Sequence, residues 1–375
     1  MTEGPEHHDR AELAMRHAQA RRADDLEPRQ LVVGHHGGRR MTILGVVAAV
    51  AATVIVAAAV TAVVRAGQEG TRPGAGATPA TMGTPAPEGM RSVSFADVEV
   101  DVPDTWIDDD PPRSDWCADG AQFTGPDQPY VALDAGEVMV AAIACPDAAN
   151  PPGFPEEPVS TWAPHLWFEQ SSGGVDGTET FAGWTLTTRT VGEVTVRLLT
   201  DEATADDVER IVGSVRRVSV DAAGCEPTSA AQAREFVRPP AFDVTTVQAT
   251  EISVCSYTRT GTEQPGLLGS HVLTGDDASD VLAALQQAPA GGGPNRPGNC
   301  SPDYTGTSVL VLRLRDGPAA VGDLIVYSDS CYGNGADDGT TVRALTLDSC
   351  APLWGGRVTW PGGDGTTLRV CHPRR

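Results

Sequence analysis

The chain has 375 residues, with 41 Gly and 29 Pro, and its 27 basic against 50 acidic residues give a net charge of −23. All of the basic residues are Arg; with no Lys anywhere, a Schiff-base lysine and a P-loop lysine are excluded. So acidic a chain lacks the basic surface that phosphate backbones require, and nucleic acid is not an expected partner.

Residues 1–40 balance seven Arg against seven acidic residues and are too few to build a core. A short helix over 9–23 is expected there, with Ala11, Ala14, Met15 and Ala18 as a weak apolar stripe. Residues 41–64 (MTILGVVAAVAATVIVAAAVTAVV) carry no charge, and as a helix they can cross a hydrocarbon core of about 30 Å. That predicts a single-pass membrane anchor. Arg21, Arg22, Arg29, Arg39 and Arg40 precede it, while only Arg65 and Arg72 closely follow. The positive-inside rule then leaves the N-terminus cytoplasmic and the C-terminal part extracellular, with cleavage near Ala62 as the alternative. Residues 65–91, rich in Gly, Pro, Ala and Thr, read as a linker.

Residues 92–220 read as a first α+β ectodomain. Strands are expected over 92–102, 130–133 and 138–145, and a helix capped by Ser160 over 160–170. A hairpin over 184–200 turns at Gly192–Glu193. A last helix opens at Thr204 and buries Val208, Ile211, Val212 and Val215. Residues 221–375 read as a second, disulfide-rich α+β ectodomain. A short helix capped by Thr228 or Ser229 and running to Phe236 leads to strands at 251–257 and 267–273 and a helix at 276–287. A Gly/Pro-rich loop follows, then strands at 308–314, 321–327, 341–347 and 367–371 in a mostly antiparallel sheet.

All eight Cys (Cys117, Cys145, Cys225, Cys255, Cys300, Cys331, Cys350 and Cys371) follow the apolar segment, and an even set reads as disulfides. Sequential pairing is expected: 117–145, 225–255, 300–331 and 350–371. Cys225 and Cys255 would clamp helix to sheet, and Cys300 and Cys331 would hold the Gly/Pro loop. Cys350 and Cys371 would flank a turn between strands.

Three stretches resemble uncharacterised actinobacterial membrane-anchored proteins: LEPRQLVVGHHGGRR entering the apolar run, VSFADVEVDVPDTW, and Cys255-Ser256-Tyr257 with Asn299-Cys300. A chain built with Arg but no Lys also suits a GC-rich genome. The resemblance implies an exported α+β region behind one anchor and brings no catalytic residues with it. The strand-helix-strand-helix order of residues 92–220 loosely resembles PsbP-like α/β/α sandwiches.

No cofactor and no metal is expected. Cys/His spacings suited to zinc do not occur, and Asp108-Asp109-Asp110 and Asp337-Asp338 do not fit an EF-hand. Asp337-Asp338-Gly339 reads as a hairpin turn. Beyond the N-terminal 40 residues only His165, His271 and His372 remain, with no G-x-S-x-G. Trp106, Trp116, Trp162, Trp167 and Trp184 would point to glycan or partner binding if exposed, and to core packing if not. The leading expectation is a non-catalytic, surface-displayed protein that binds an envelope component or a partner protein. The alternatives are an exported hydrolase using His165 or His271 with a Ser or Asp, and a signalling protein docking through residues 9–23.

Overall fold

A computed structural model describes residues 83–109, 126–133, 150–170, 174–259, 266–295, 298, 300–301, 304–359 and 366–371. Strands β1 (Met90–Phe95) and β2 (Val98–Pro103) form a hairpin that buries Val93, Phe95, Val98, Val100 and Val102. Strands β3 (Ile107–Asp109), β4 (Tyr130–Ala132) and β5 (His165–Gln170) then pair in parallel. β6 (Gly177–Phe181), β7 (Trp184–Val191) and β8 (Val194–Thr200) complete a six-stranded sheet in the order β3-β4-β5-β8-β7-β6. Helix α1 (Val208–Ser214) leads to β9 (Arg216–Arg217), which pairs with β2.

The two faces of this sheet follow the period of two along its strands. Leu166, Phe168, Val194, Val196 and Leu198 pack with the β1–β2 hairpin and Ile211 of α1. Leu186 and Leu199 face the other way and meet Phe154 and Trp162. The β7–β8 hairpin turns at Gly192–Glu193 as expected. The β6–β7 hairpin closes through Ala182 (φ 52°) and Gly183 (φ 88°), both left-handed, the geometry a two-residue primed turn demands.

In the second half β10 (Glu251–Thr258) lies between β11 (Leu267–Thr274) and β12 (Ser308–Asp316), and β13 (Ala319–Tyr327), β14 (Gly335–Asp337) and β15 (Val342–Arg343) extend the sheet. Ile252, Val254, Leu312 and Leu324 pack with Ala278, Val281, Leu282 and Leu285 of α2 (Gly275–Gln287). Cys255, Tyr257, Val311 and Ile325 build a second cluster on the opposite face with Cys225 and Ala231. The Asp337-Asp338-Gly339 segment is a hairpin turn. Asp338 accepts from the backbone of Thr340 and Thr341, and Gly339 sits at φ 83°. Asp338→Ala is expected to cost about 1–3 kcal/mol in chemical denaturation, because it orphans three backbone donors, those of Thr340, Thr341 and Val244. A change within error would show that water satisfies them.

Four local expectations are corrected. The helix over 160–170 is one 3-10 turn (Val159–Thr161) followed by β5. Pro164 disfavours helical backbone at Ala163, and Leu166 and Phe168 alternate with His165 and Trp167 across the sheet. The helix over 229–236 stops after Ala230–Gln232 despite a complete capping box, because Arg259 takes the carbonyls of Ala233, Arg234 and Glu235. The strand over 341–347 ends early, as Thr346 and Ser349 cap α3 (Leu347–Cys350) reciprocally. The strand over 367–371 is helix α4 (Thr366–Cys371), with Thr367, Val370 and Cys371 at helical spacing toward the interior.

The membrane anchor is corrected too. Among the described residues no helix is long and apolar enough to cross a membrane. Helix α2, with 13 residues, rises about 20 Å against about 30 Å of hydrocarbon and exposes Asp276, Asp277 and Asp280. Residues 41–64 lie outside the described residues. The fold class is therefore α+β with mostly antiparallel sheets and no described spanning helix. The single-pass description and the cell-membrane location, with its cytoplasmic and extracellular ends, are withdrawn.

Cys225 pairs with Cys255, Cys300 with Cys331 and Cys350 with Cys371, at Cα separations of 5.7, 5.9 and 5.3 Å. Each joins sequence neighbours, although the last links two helices, α3 and α4, rather than two strands. Cys117 and Cys145 lie outside the described residues, as does the strand expected over 138–145. Residues 75–375 cluster as one unit. Across the boundary read at 220/221, Ala96 N donates to the Leu267 carbonyl and Arg357 Nη1 to the Ala132 carbonyl. Buried Glu99 accepts from Ala222 N across the same boundary.

Candidate functional site

The ends of four strands meet at one edge of the first sheet. Antiparallel pairing of β8 with both β5 and β7 brings the start of β5, the start of β7 and the end of β8 together: His165 faces Leu199 and Thr185 faces Thr200. The parallel β4–β5 pair adds the start of β4, where Tyr130 N donates to the Pro164 carbonyl. The segments leading into or out of these ends enclose a recess of about 310 Å³, lined by Pro126, Asp127, Gln128, Pro129, Trp162, Ala163, Pro164, Trp184, Asp201, Ala203 and Thr204.

Its aromatic wall is held from behind. Trp162 is buried and donates from Nε1 to the Glu157 carbonyl at 2.8 Å. Phe154 stacks on it at 5.7 Å, and Trp184 stands against it at 5.8 Å with the two ring planes 73° apart. The two indoles therefore make a corner, and Trp184 is only half-buried. Asp201 is held by a local turn, its Oδ1 accepting from Thr204 N at 3.0 Å and Thr204 Oγ1 at 2.9 Å. Asp127 and Gln128, from the segment before β4, are exposed. The described lining contains no Arg and no His.

The residues weighed for catalysis are placed elsewhere. His165 is buried between Tyr130 and Trp167, with ring centroids 4.7 and 4.8 Å away, and its Nδ1 lies 2.8 Å from the Ala163 carbonyl. Burial pulls its pKa down to about 4. Both ring faces are covered, so it packs as an uncharged aromatic. His271 is also pushed below its ordinary value by burial, and neither ring nitrogen has a hydrogen-bond partner of good geometry. Asp108, the acid closest to it in charge interaction, is tied to Arg91 at 3.0 Å. Ser328, Asp329 and Ser330 are buried, and Asp329 and Ser330 anchor the loop at 305–307 through Thr307 and the Thr305 carbonyl. His372, Asp110, Ser171, Ser172 and Trp116 lie outside the described residues. Asp337 is bound by Arg238, and among the described residues no acidic, His or Cys group is arranged to hold a metal ion.

Trp162 and Trp184 were legible as candidates, whereas Trp106 belongs to the core. Sequence reasoning missed Pro126, Asp127, Gln128, Pro129 and Asp201. The usable signal was Asp201-x-x-Thr204, a side-chain turn pattern directly after a strand. In comparisons with family models, curated proteins and solved structures, nothing matches this chain.

Proposed function

We propose that this is a non-catalytic binding protein whose ligand seats in the Trp162–Trp184 recess. The observation that carries the reading is an open, half-apolar recess with an aromatic corner and polar groups on its rim, the usual make-up of a small-ligand site. The packing of His165 on both faces supports it, since a ring so enclosed cannot serve as a base to a ligand in the recess. The partner is recognised through a compact group that enters the corner, on a free molecule or on a larger one.

The test is a titration of the full chain with glucose, tetramethylammonium chloride, methylguanidinium chloride, sodium acetate and a proline hexapeptide, followed by tryptophan fluorescence and calorimetry. At least one is expected to bind saturably, with Trp184→Ala weakening it about thirtyfold, the loss typical of an aromatic anchor. Val175→Ser, at a position 83% exposed outside the recess, should leave it unchanged. If no probe binds, or if Trp184→Ala binds as the native chain does, the recess is not the site.

A further inference from the structure

We infer that the ligand group the recess selects is an organic cation, an alkylammonium or guanidinium. This rests on the reading of the recess as a binding site and adds the chemistry of what it takes.

Charge decides first. Asp127, just before β4, and Asp201, just after β8, line the recess from the strands on either side of β5, and the described lining offers no cation against them. Glu202 and Asp206, both exposed, continue the acidic run just after Asp201. An anion entering here meets like charge and no donor stronger than an amide or hydroxyl. The chain as a whole carries −23, so long-range attraction also favours cations.

Shape decides between a cation and a neutral sugar. A pyranose ring stacks on a flat, open indole face. Trp162 has Phe154 stacked on it 12° from parallel, and Trp184 stands 73° from its plane. The indoles thus form two walls of a corner and no extended platform. A corner suits a compact group whose methyl or methylene carbons touch both rings while its charge meets the π electrons. Pro129 and Pro164 supply further apolar wall for an alkyl stem. The open mouth lets the cation keep part of its hydration, so the desolvation cost stays small.

Asp201 suits the role because its turn fixes it before any ligand arrives. Both bonds from Thr204 fall on Oδ1, and a carboxylate has a second oxygen to accept from a guanidinium or ammonium.

The experiment uses the full chain and the probes already named. Tetramethylammonium or methylguanidinium should bind saturably, while glucose and acetate do not. Asp127→Asn with Asp201→Asn should weaken cation binding about tenfold, and raising NaCl from 0.05 to 0.5 M should weaken it severalfold. Asp201→Asn keeps an oxygen for the Thr204 turn, and a circular dichroism spectrum identical to the native one checks that the fold survives. If glucose or the proline peptide binds and is lost in Trp184→Ala, the recess remains a site and the cation assignment falls. Cation binding that ignores the double variant overturns it equally.

Discussion

Replacing Cys225 and Cys255 together by alanine is expected to destabilise the protein by about 3–4 kcal/mol, the loop-closure contribution of a bridge spanning 30 residues. Both Cys are fully buried, and Cys255 lies on β10, a strand paired on both sides. The bridge fastens a strap, residues 221–226, across one face of the second sheet. Polar contacts hold the same strap: Ser253 Oγ donates to the Ala223 carbonyl at 2.5 Å, Arg313 Nη1 to Gly224 at 2.8 Å and Tyr257 Oη to Glu226 at 2.8 Å. Without the bridge, the unfolded chain regains its freedom while those bonds remain available to the folded one. The loss should therefore appear mainly as a lower denaturation midpoint with native-like circular dichroism. A change below about 1 kcal/mol would mean that the polar contacts alone set the strap's stability.

Much of the second half was legible because its signals are local and agree. Helix α2 shows Ala278, Val281, Leu282 and Leu285 at helical spacing, and all four are buried. The strands β10, β12 and β13 carry apolar residues at successive positions because packed clusters lie on both faces of the sheet. Residues 160–170 resemble a helix in sequence because an N-cap residue and an early proline mimic a helix start. Pairing with β8 outweighed that propensity, and Pro164 had already biased Ala163 toward extended backbone. Helix α4 was misread as a strand because six residues show too little periodicity, and its inward face is set by Cys350 and Ser328 far along the chain. The recess was harder still. Its walls come from four strand ends between residues 126 and 204, and it takes the pairing of β5 and β7 with β8 and of β4 with β5 to bring them together. The long apolar run of residues 41–64 gave the clearest single signal in the sequence, yet the described structure is an α+β assembly with no spanning helix.

The second large effect is a loss of stability as pH rises through neutrality, centred on Glu157. Its side chain is buried, and its own carbonyl holds Trp162 Nε1, a wall of the recess. Burial pushes its carboxyl from 4.5 up to about 7, and the neighbouring charge of Glu156 adds to the rise. Tyr130 faces the same region, and its phenol is raised by burial and by the Glu157 charge. A carboxyl raised in the folded state prefers to be protonated there. The stabilisation is therefore complete below about pH 4.5 and is lost as pH climbs through about 7. The shift corresponds to about 2–3 kcal/mol between pH 4.5 and pH 8.5. Glu99, Asp221, Asp323 and Asp329 are raised by burial as well and act in the same direction, whereas His165 and His271, lowered by burial, add stability as pH rises toward 6.5 and oppose them. Glu157→Gln isolates this residue, since the amide stays neutral at every pH and is nearly the same size. Between pH 5 and pH 8.5 the change in denaturation free energy is expected to be about 2 kcal/mol less favourable for the native chain than for Glu157→Gln, in which the His contributions are the same. Ionised Glu157 should also loosen the segment at 150–158, where Asn150 donates to the carbonyls of Pro155 and Glu157. Trp162 would then lose its fixed partner, and ligand binding in the recess should weaken above pH 7 in the native chain but not in Glu157→Gln. Parallel pH profiles for the two proteins would show that Glu157 reaches water in the folded state and that the recess does not sense its charge.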